Sequence, residues 1–175
     1  MKTVTWLVGP PGCGKSTWVK NYLQTAERET VVLSADVIVE QWAAENGLTY
    51  TEAFEQRDWD FVYKLPCEGY CALFYFRDIF AQLYGEFFDA TKAGKDVIVD
   101  LTNTMQRFFI ASTPADYHKR AVVFEISGEL LNKRLLSRER ATGKHVPDRV
   151  VKDIIETYVP VRASEVHEII VSKQE

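Results

Sequence analysis

A chain of 175 residues, 46% hydrophobic and 26% charged, has the make-up of one ordinary globular domain, expected to span residues 1–175. No apolar run approaches the roughly 20 residues needed to cross a bilayer, and the N-terminus shows no secretory pattern. Cys13, Cys67 and Cys71 give an odd count with no disulfide framework, so a reducing, cytoplasmic setting without membrane association is expected. A net charge of −4 argues against a protein that coats nucleic acid along its length.

The first apolar run, "TVTWLV" (residues 3–8), reads as a strand, and "KSTWVKNYLQ" (15–24) reads as a helix. Between them lies "GPPGCGKS". Gly9, Gly14, Lys15 and Ser16 fit G-x-x-x-x-G-K-[ST], the phosphate-binding loop. Glycines let the backbone turn tightly and approach a ligand closely. Successive N–H groups then form an anion nest, reinforced by the positive end of the following helix. In this reading Gly9, Pro11, Gly12, Cys13, Gly14, Lys15, Ser16 and Thr17 bind a nucleotide. Lys15 reaches the outer phosphates, and the Ser16 hydroxyl ligates Mg²⁺.

"TVVLS" (30–34) predicts a second strand, and "ADVIVEQWAAENG" a helix. Its apolar positions are read as Val37, Ile38, Trp42 and Ala44, with Gly47 as a stop. The stretch 59–88 is rich in aromatics, and Phe76, Phe80, Tyr84 and Phe87 have the spacing of a core-facing helical stripe. Self-association into a homo-oligomer and stacking on bases are its alternatives. Cys67 and Cys71, four apart, read as small buried hydrophobes rather than a metal pair. "DVIVD" (96–100), "RAVVFEIS" (120–127) and "HEIIVS" (167–172) complete five strands. β-Branched runs alternating with helices predict an α/β fold with a parallel sheet.

Ligands of such sheets bind beyond the carboxyl ends of the strands. Asp36 lies two residues past the second strand and is aimed at that edge, where it could take the proton of an attacking hydroxyl. A helix cap is its structural alternative. Asp100 ends the strand "VIVD" and suits Mg²⁺, directly or through water, or the acceptor. Asn103 follows in "DLTN", where it either holds the turn or touches substrate. Charge is uneven. Residues 36–60 hold Asp36, Glu40, Glu45, Glu52, Glu55, Asp58 and Asp60 against Arg57 alone. Residues 133–149 hold Lys133, Arg134, Arg138, Arg140, Lys144 and Arg149 against Glu139 and Asp148. Arg134 and Arg138 share a helical face. Arginines on a mobile flap can close over ATP and neutralise charge on the transferring phosphoryl group; Arg140 is assigned to the nucleotide.

Neither N-K-x-D nor D-x-x-G, the marks of a GTPase, is present. "GPPGCGKSTW", Asp36, "VIVDLTN" and "KRLLSR" followed by "GKHVP" together resemble the kinase domain of phage-type polynucleotide kinase and its P-loop relatives, toxin-like kinases included. The resemblance runs over nearly the whole chain. It implies a P-loop kinase-like five-stranded parallel sheet with an arginine-rich helical lid, and ATP and Mg²⁺ as cofactors. Lys15 and Ser16 match the loop lysine and hydroxyl, Asp36 the general base, and Arg134 and Arg138 the lid pair. Two departures stand out. Leu101 separates Asp100 from "TN", and Val39 occupies the place of a phosphate-contacting arginine three residues after the base. The expected activity is transfer of the γ-phosphate of ATP to a hydroxyl, with the 5′-hydroxyl end of DNA or RNA as the acceptor first in order. A nucleoside, sugar or other small metabolite is the alternative acceptor, and a non-catalytic ATP-binding module the alternative class.

Overall fold

The structure, a computed structural model, describes residues 1–56, 79–101, 103–146 and 148–174. Five strands, β1 (Thr3–Val8), β2 (Thr30–Ser34), β3 (Asp96–Asp100), β4 (His118–Glu125) and β5 (Glu168–Lys173), form one sheet in the order β2-β3-β1-β4-β5. All four pairings are parallel, as the β-branched runs predict. β1 is central and buried along its whole length. Its side chains alternate between two helix-covered faces. Val4, Trp6 and Val8 join Leu33, Val97 and Val99 on one face, while Leu7 joins Ile98, Val122 and Phe124 on the other. A strand buried on both faces excludes charge, and "TVTWLV" is apolar apart from Thr3 and Thr5, which are buried with it.

Among the described residues the helices are α1 (Lys15–Thr25), α2 (Ala35–Glu45), α3 (Tyr50–Gln56), α4 (Ile79–Lys92), α5 (Asn103–Ser112), α6 (Gly128–Thr142) and α7 (Asp148–Glu156). α1 covers the second face through Trp18, Val19 and Tyr22. α4 and α5 cover the first, where Phe87 meets Phe109 edge-on at 5.1 Å between ring centroids. Most of the aromatic-rich stretch, with Cys67 and Cys71, lies outside the described residues. Its described end supports the core reading, although the buried stripe of α4 is Leu83, Phe87 and Ala90, with Tyr84 at its margin.

Two local expectations are corrected. The buried side of α2 is Val39 and Ala43, packed on Ala53 of α3, while Val37 and Ala44 face solvent. The helix starts at Ala35 as expected, and Ile38 and Trp42 are half-buried against the core, so only Val37 and Ala44 of the expected face are turned out. Ser34 is its N-cap residue and Asp36 sits inside the first turn, so capping is not what occupies the Asp36 carboxylate.

Candidate active site

Parallel pairing brings the carboxyl ends of the strands to one edge. Ser34 pairs in register with Asp100, so Asp36, two residues on, is delivered beside the end of β3. The loop from Val8 to α1 opens at the same edge. Gly14 has φ +106°, a left-handed backbone that favours glycine, and an added Cβ would lie 2.8 Å from Gln174 Oε1. At Gly9 an added Cβ would lie 2.7 Å from Cys13 Sγ and 3.0 Å from Phe124 Cβ. Glycine is required there for close packing of loop on sheet. Lys15 Nζ donates to the carbonyls of Gly9 (3.0 Å) and Pro10 (3.1 Å) and faces Asp100 Oδ1 at 3.9 Å.

These groups line one cavity of about 1000 Å³. Its polar floor is the glycine loop with Lys15, Ser16 and Thr17. Asp36 and Asp100 stand on one side, and Arg134 and Arg138 descend from α6. Phe124, Ile126, Leu131, Ile155 and Tyr158 add apolar surface to the lining. The size suits a nucleotide with a small second ligand. α6 is fixed locally by its Ser127 cap, which accepts from Leu130 N–H at 3.3 Å, and ends on Gly143 at φ +69°. Leu131 and Leu135 lie against the place a Gly12 Cβ would take, so α6 rests on the loop itself.

The sequence-predicted residues divide accordingly. Gly9, Pro11, Gly12, Gly14, Lys15, Ser16, Thr17, Asp36, Asp100, Arg134 and Arg138 all line the cavity. Cys13 is buried beneath the loop, in the core cluster of the second face. Arg140 is exposed on α6 and is not brought to the cavity. Asn103 opens α5, so the turn after β3 ends there. Arg134 donates to the Cys13 carbonyl (3.4 Å) and to Gln174 Oε1 (3.0 Å). Arg138 Nη2 faces Asp36 Oδ2 at 3.8 Å.

Four contributors are not among the sequence-predicted site residues: Glu40 and Lys144, which the sequence shows only as parts of the charged segments, and Tyr50 and Gln174. Tyr50 OH donates to Asp36 Oδ1 at 2.9 Å. Lys144 Nζ lies 4.7 Å from the centre of the Tyr50 ring and pairs with Glu40. Burial lowers the Lys144 pKa, opposed by the nearby Asp36 carboxylate. α3 begins with a reciprocal box. Thr49 N–H and Oγ1–H donate to Glu52 Oε2 (both 2.8 Å), and Glu52 N–H donates to Thr49 Oγ1 (3.2 Å). The signal Thr49-x-x-Glu52 behind Gly47 was available in the sequence, and it is what sets Tyr50 in a first helical turn.

Burial raises the Asp100 carboxyl above the usual range; Lys15 opposes this and Asp36 adds to it. An acid raised on folding holds its proton more tightly in the folded chain. Its contribution to stability therefore falls as pH rises from the unfolded value, about 3.9, through the folded one. At neutral pH, ionised Asp100 is a burden on the fold. Asp100→Asn is expected to raise Tm at pH 7, by roughly 2–4 °C per kcal/mol recovered in a chain of this size, while lowering turnover. Melts at pH 4 and pH 7 check this: the gain over wild type should narrow at pH 4.

The sheet order, the glycine loop and the flanking helices define a P-loop kinase fold. A model of the AAA domain family matches residues 4–161, and the chain belongs to that family. Among solved structures, it is similar to shikimate kinase from Acinetobacter baumannii in complex with shikimate. The two are 18% identical with a TM-score of 0.60, over 100% of this chain and 86% of that one. It is similar to a sugar kinase from Janibacter sp. HTCC2649 at 16% identity and TM-score 0.60, over 99% of this chain and 86% of that one. It is also similar to a chain of a Pnkp1/Rnl/Hen1 complex at 19% identity and TM-score 0.50, over 76% of this chain and 38% of that one. No curated protein sequence matches the chain. Among the described residues, no helix is long and apolar enough to cross a membrane.

Proposed function

We propose that this protein is an ATP-dependent kinase that transfers the γ-phosphate to the hydroxyl of a small acceptor. The observation that carries this reading is the placing of Lys15, Asp36 and Arg138 on the walls of one cavity that also holds the glycine loop. In this reading the loop N–H groups and Lys15 bind the phosphates, and the apolar lining takes the base. Arg138 and Arg134 neutralise charge on the transferring group, and Asp36 accepts the acceptor's proton. Ser16 and Asp100 offer a hydroxyl and a buried carboxylate in the same cavity, hard oxygen donors that suit Mg²⁺. When bound, Mg²⁺ supplies charge neutralisation on the phosphate oxygens.

Transfer to a 5′-hydroxyl polynucleotide end is the second reading, supported by the motif resemblance. One observation favours the small acceptor over it. Val39, where the polynucleotide kinases carry arginine, is only 4% exposed and packs between α2 and α3, so no phosphate contact can come from that position. The basic segment adds to this, because Arg138 and Lys144 face Asp36 and Glu40 of the chain's own acidic segment.

The experiment offers radiolabelled ATP·Mg²⁺ with sugars, nucleosides, other small alcohols, 5′-hydroxyl oligonucleotides and 5′-phosphorylated controls. Label on a small acceptor and none on oligonucleotides is the expected result. Label on oligonucleotides alone reverses the order of the two readings, and ATP binding without transfer to any of them leaves a binding module.

A further inference from the structure

The Asp36 carboxylate has two oxygens in different surroundings. Oδ1 accepts the Tyr50 hydroxyl at 2.9 Å. Oδ2 faces Arg138 at 3.8 Å, an ion-pair separation beyond hydrogen-bond reach. One oxygen is thus tied to the α3 side and the other is directed toward the arginine on α6. The tyrosine is itself held in place. The Thr49–Glu52 box fixes the turn it sits in. Lys144 covers its ring at 4.7 Å and pairs with Glu40, one turn along α2 from Asp36. The next residue, Thr51, donates to the Gly143 carbonyl (3.2 Å) and accepts from His145 N–H (3.5 Å), so the loop that carries Lys144 is fastened to α3 on both sides of the lysine.

We propose that Tyr50 is the positioning residue of the reaction, pinning Asp36 by Oδ1 so that Oδ2 is the atom that takes the proton, with Lys144 and Glu40 holding the tyrosine ring. The inference rests on the proposed role of Asp36 as base. The logic is that of an oriented base: a third group fixes the geometry and the base does the chemistry. The step balances as follows. The acceptor's O–H bond breaks and its proton passes to Oδ2. The acceptor oxygen forms a bond to the γ-phosphorus. The bond from that phosphorus to the β,γ-bridging oxygen breaks, and its electron pair leaves on ADP. A carboxylate free to rotate would present either oxygen; the tyrosine removes that freedom before substrate arrives. Because Lys144 lies on the loop after α6, docking of that loop and orientation of the base become one event.

The test uses the full chain and water as the acceptor, following hydrolysis of ATP·Mg²⁺, so it needs no identified substrate. Tyr50→Phe keeps the ring under Lys144 and removes only the hydroxyl. It should lower kcat roughly 10-fold, the scale for groups that orient a reacting ligand, and leave the KM for ATP unchanged. Asp36→Asn should lower kcat further, and adding Tyr50→Phe to it should bring no additional loss, because the hydroxyl acts only through the carboxylate. Lys144→Met should reproduce part of the Tyr50→Phe loss, and Lys144→Arg, which keeps the cation over the ring, should restore it. If Tyr50→Phe turns over like wild type, or if its loss adds in full to that of Asp36→Asn, the proposal is overturned. An unchanged rate in Asp36→Asn itself would instead sink the base assignment. Where hydrolysis is too slow to follow, a double-mutant cycle is read on Tm. For this reading the partner variant is Asp36→Ala, which removes the acceptor oxygen: non-additive shifts for Tyr50→Phe and Asp36→Ala support the pinning contact, and additive shifts overturn it.

Discussion

Lys15→Ala is expected to lower turnover on the order of 10²–10³-fold and to weaken ATP binding, the scale for losing one preorganised donor aimed at developing charge. Two roles converge on this side chain. As a cation on the cavity floor it is placed to meet the outer phosphates. It also braces the loop, since its ammonium donates to the carbonyls of Gly9 and Pro10 at 3.0 and 3.1 Å. Asp100 supplies a third consequence. The lysine is the cation nearest that buried carboxylate and holds its pKa down against burial, so the alanine variant should melt lower than wild type. Adding Asp100→Asn to Lys15→Ala should recover the stability and none of the turnover. The checks are steady-state kinetics with radiolabelled ATP, calorimetric titration of ATP, and melts of the two single variants and the double. Near-wild-type turnover in Lys15→Ala would remove the loop from the chemistry.

The parts of this molecule that the sequence announces are those built from near neighbours. β1, β2 and β3 match the runs in the sequence to the residue; β1 and β3 are legible because strands buried on both faces carry few polar side chains, and β5 by its β-branched residues although Ile169, Ile170 and Val171 are exposed. The loop from Gly9 to Thr17 is legible because it lies within one short stretch, and all of its residues but Cys13 line the cavity. The losses lie in contacts that only folding brings about. Tyr50 reaches Asp36 across 14 positions, Thr51 reaches Gly143 across 92, and Gln174 meets Arg134 across 40. The uneven charge is legible in the sequence, and its pairing across the fold is not. The basic residues 133–149 read as a place to meet phosphates, and nothing in the sequence says that the acidic residues 36–60 lie opposite them. The structure sets Asp36 against Arg138 and Glu40 against Lys144, so two pairs join the segments beside the cavity. The Val39 departure was likewise visible as a missing arginine. That the position is a core contact between α2 and α3 needed the turn of α2 to be known.

Asp36→Asn is expected to lower kcat by roughly 10²–10⁴, the range for losing a general base, with the affinity for ATP changed no more than a few-fold. Asparagine is the informative replacement because it keeps the shape and retains a carbonyl oxygen that can still accept from Tyr50. What it loses is the oxygen able to hold a proton and the charge that faces Arg138 at 3.8 Å. The effect on stability should be small. Asp36 is an acidic residue in the first turn of α2, where a negative charge is worth about 0.3–1 kcal/mol, and its side chain is 57% exposed. A large fall in kcat with a small fall in Tm therefore separates chemistry from structure at this position. Releasing Arg138 from its carboxylate gives the prediction a second edge. If Arg138 is shared between Asp36 and the phosphates, the asparagine variant should bind ATP slightly more tightly than wild type, because the competing anion is gone. Wild-type kcat in Asp36→Asn would reduce the residue to a helix-terminal charge, and looser ATP binding would mean that Arg138 needs Asp36 to reach the nucleotide at all.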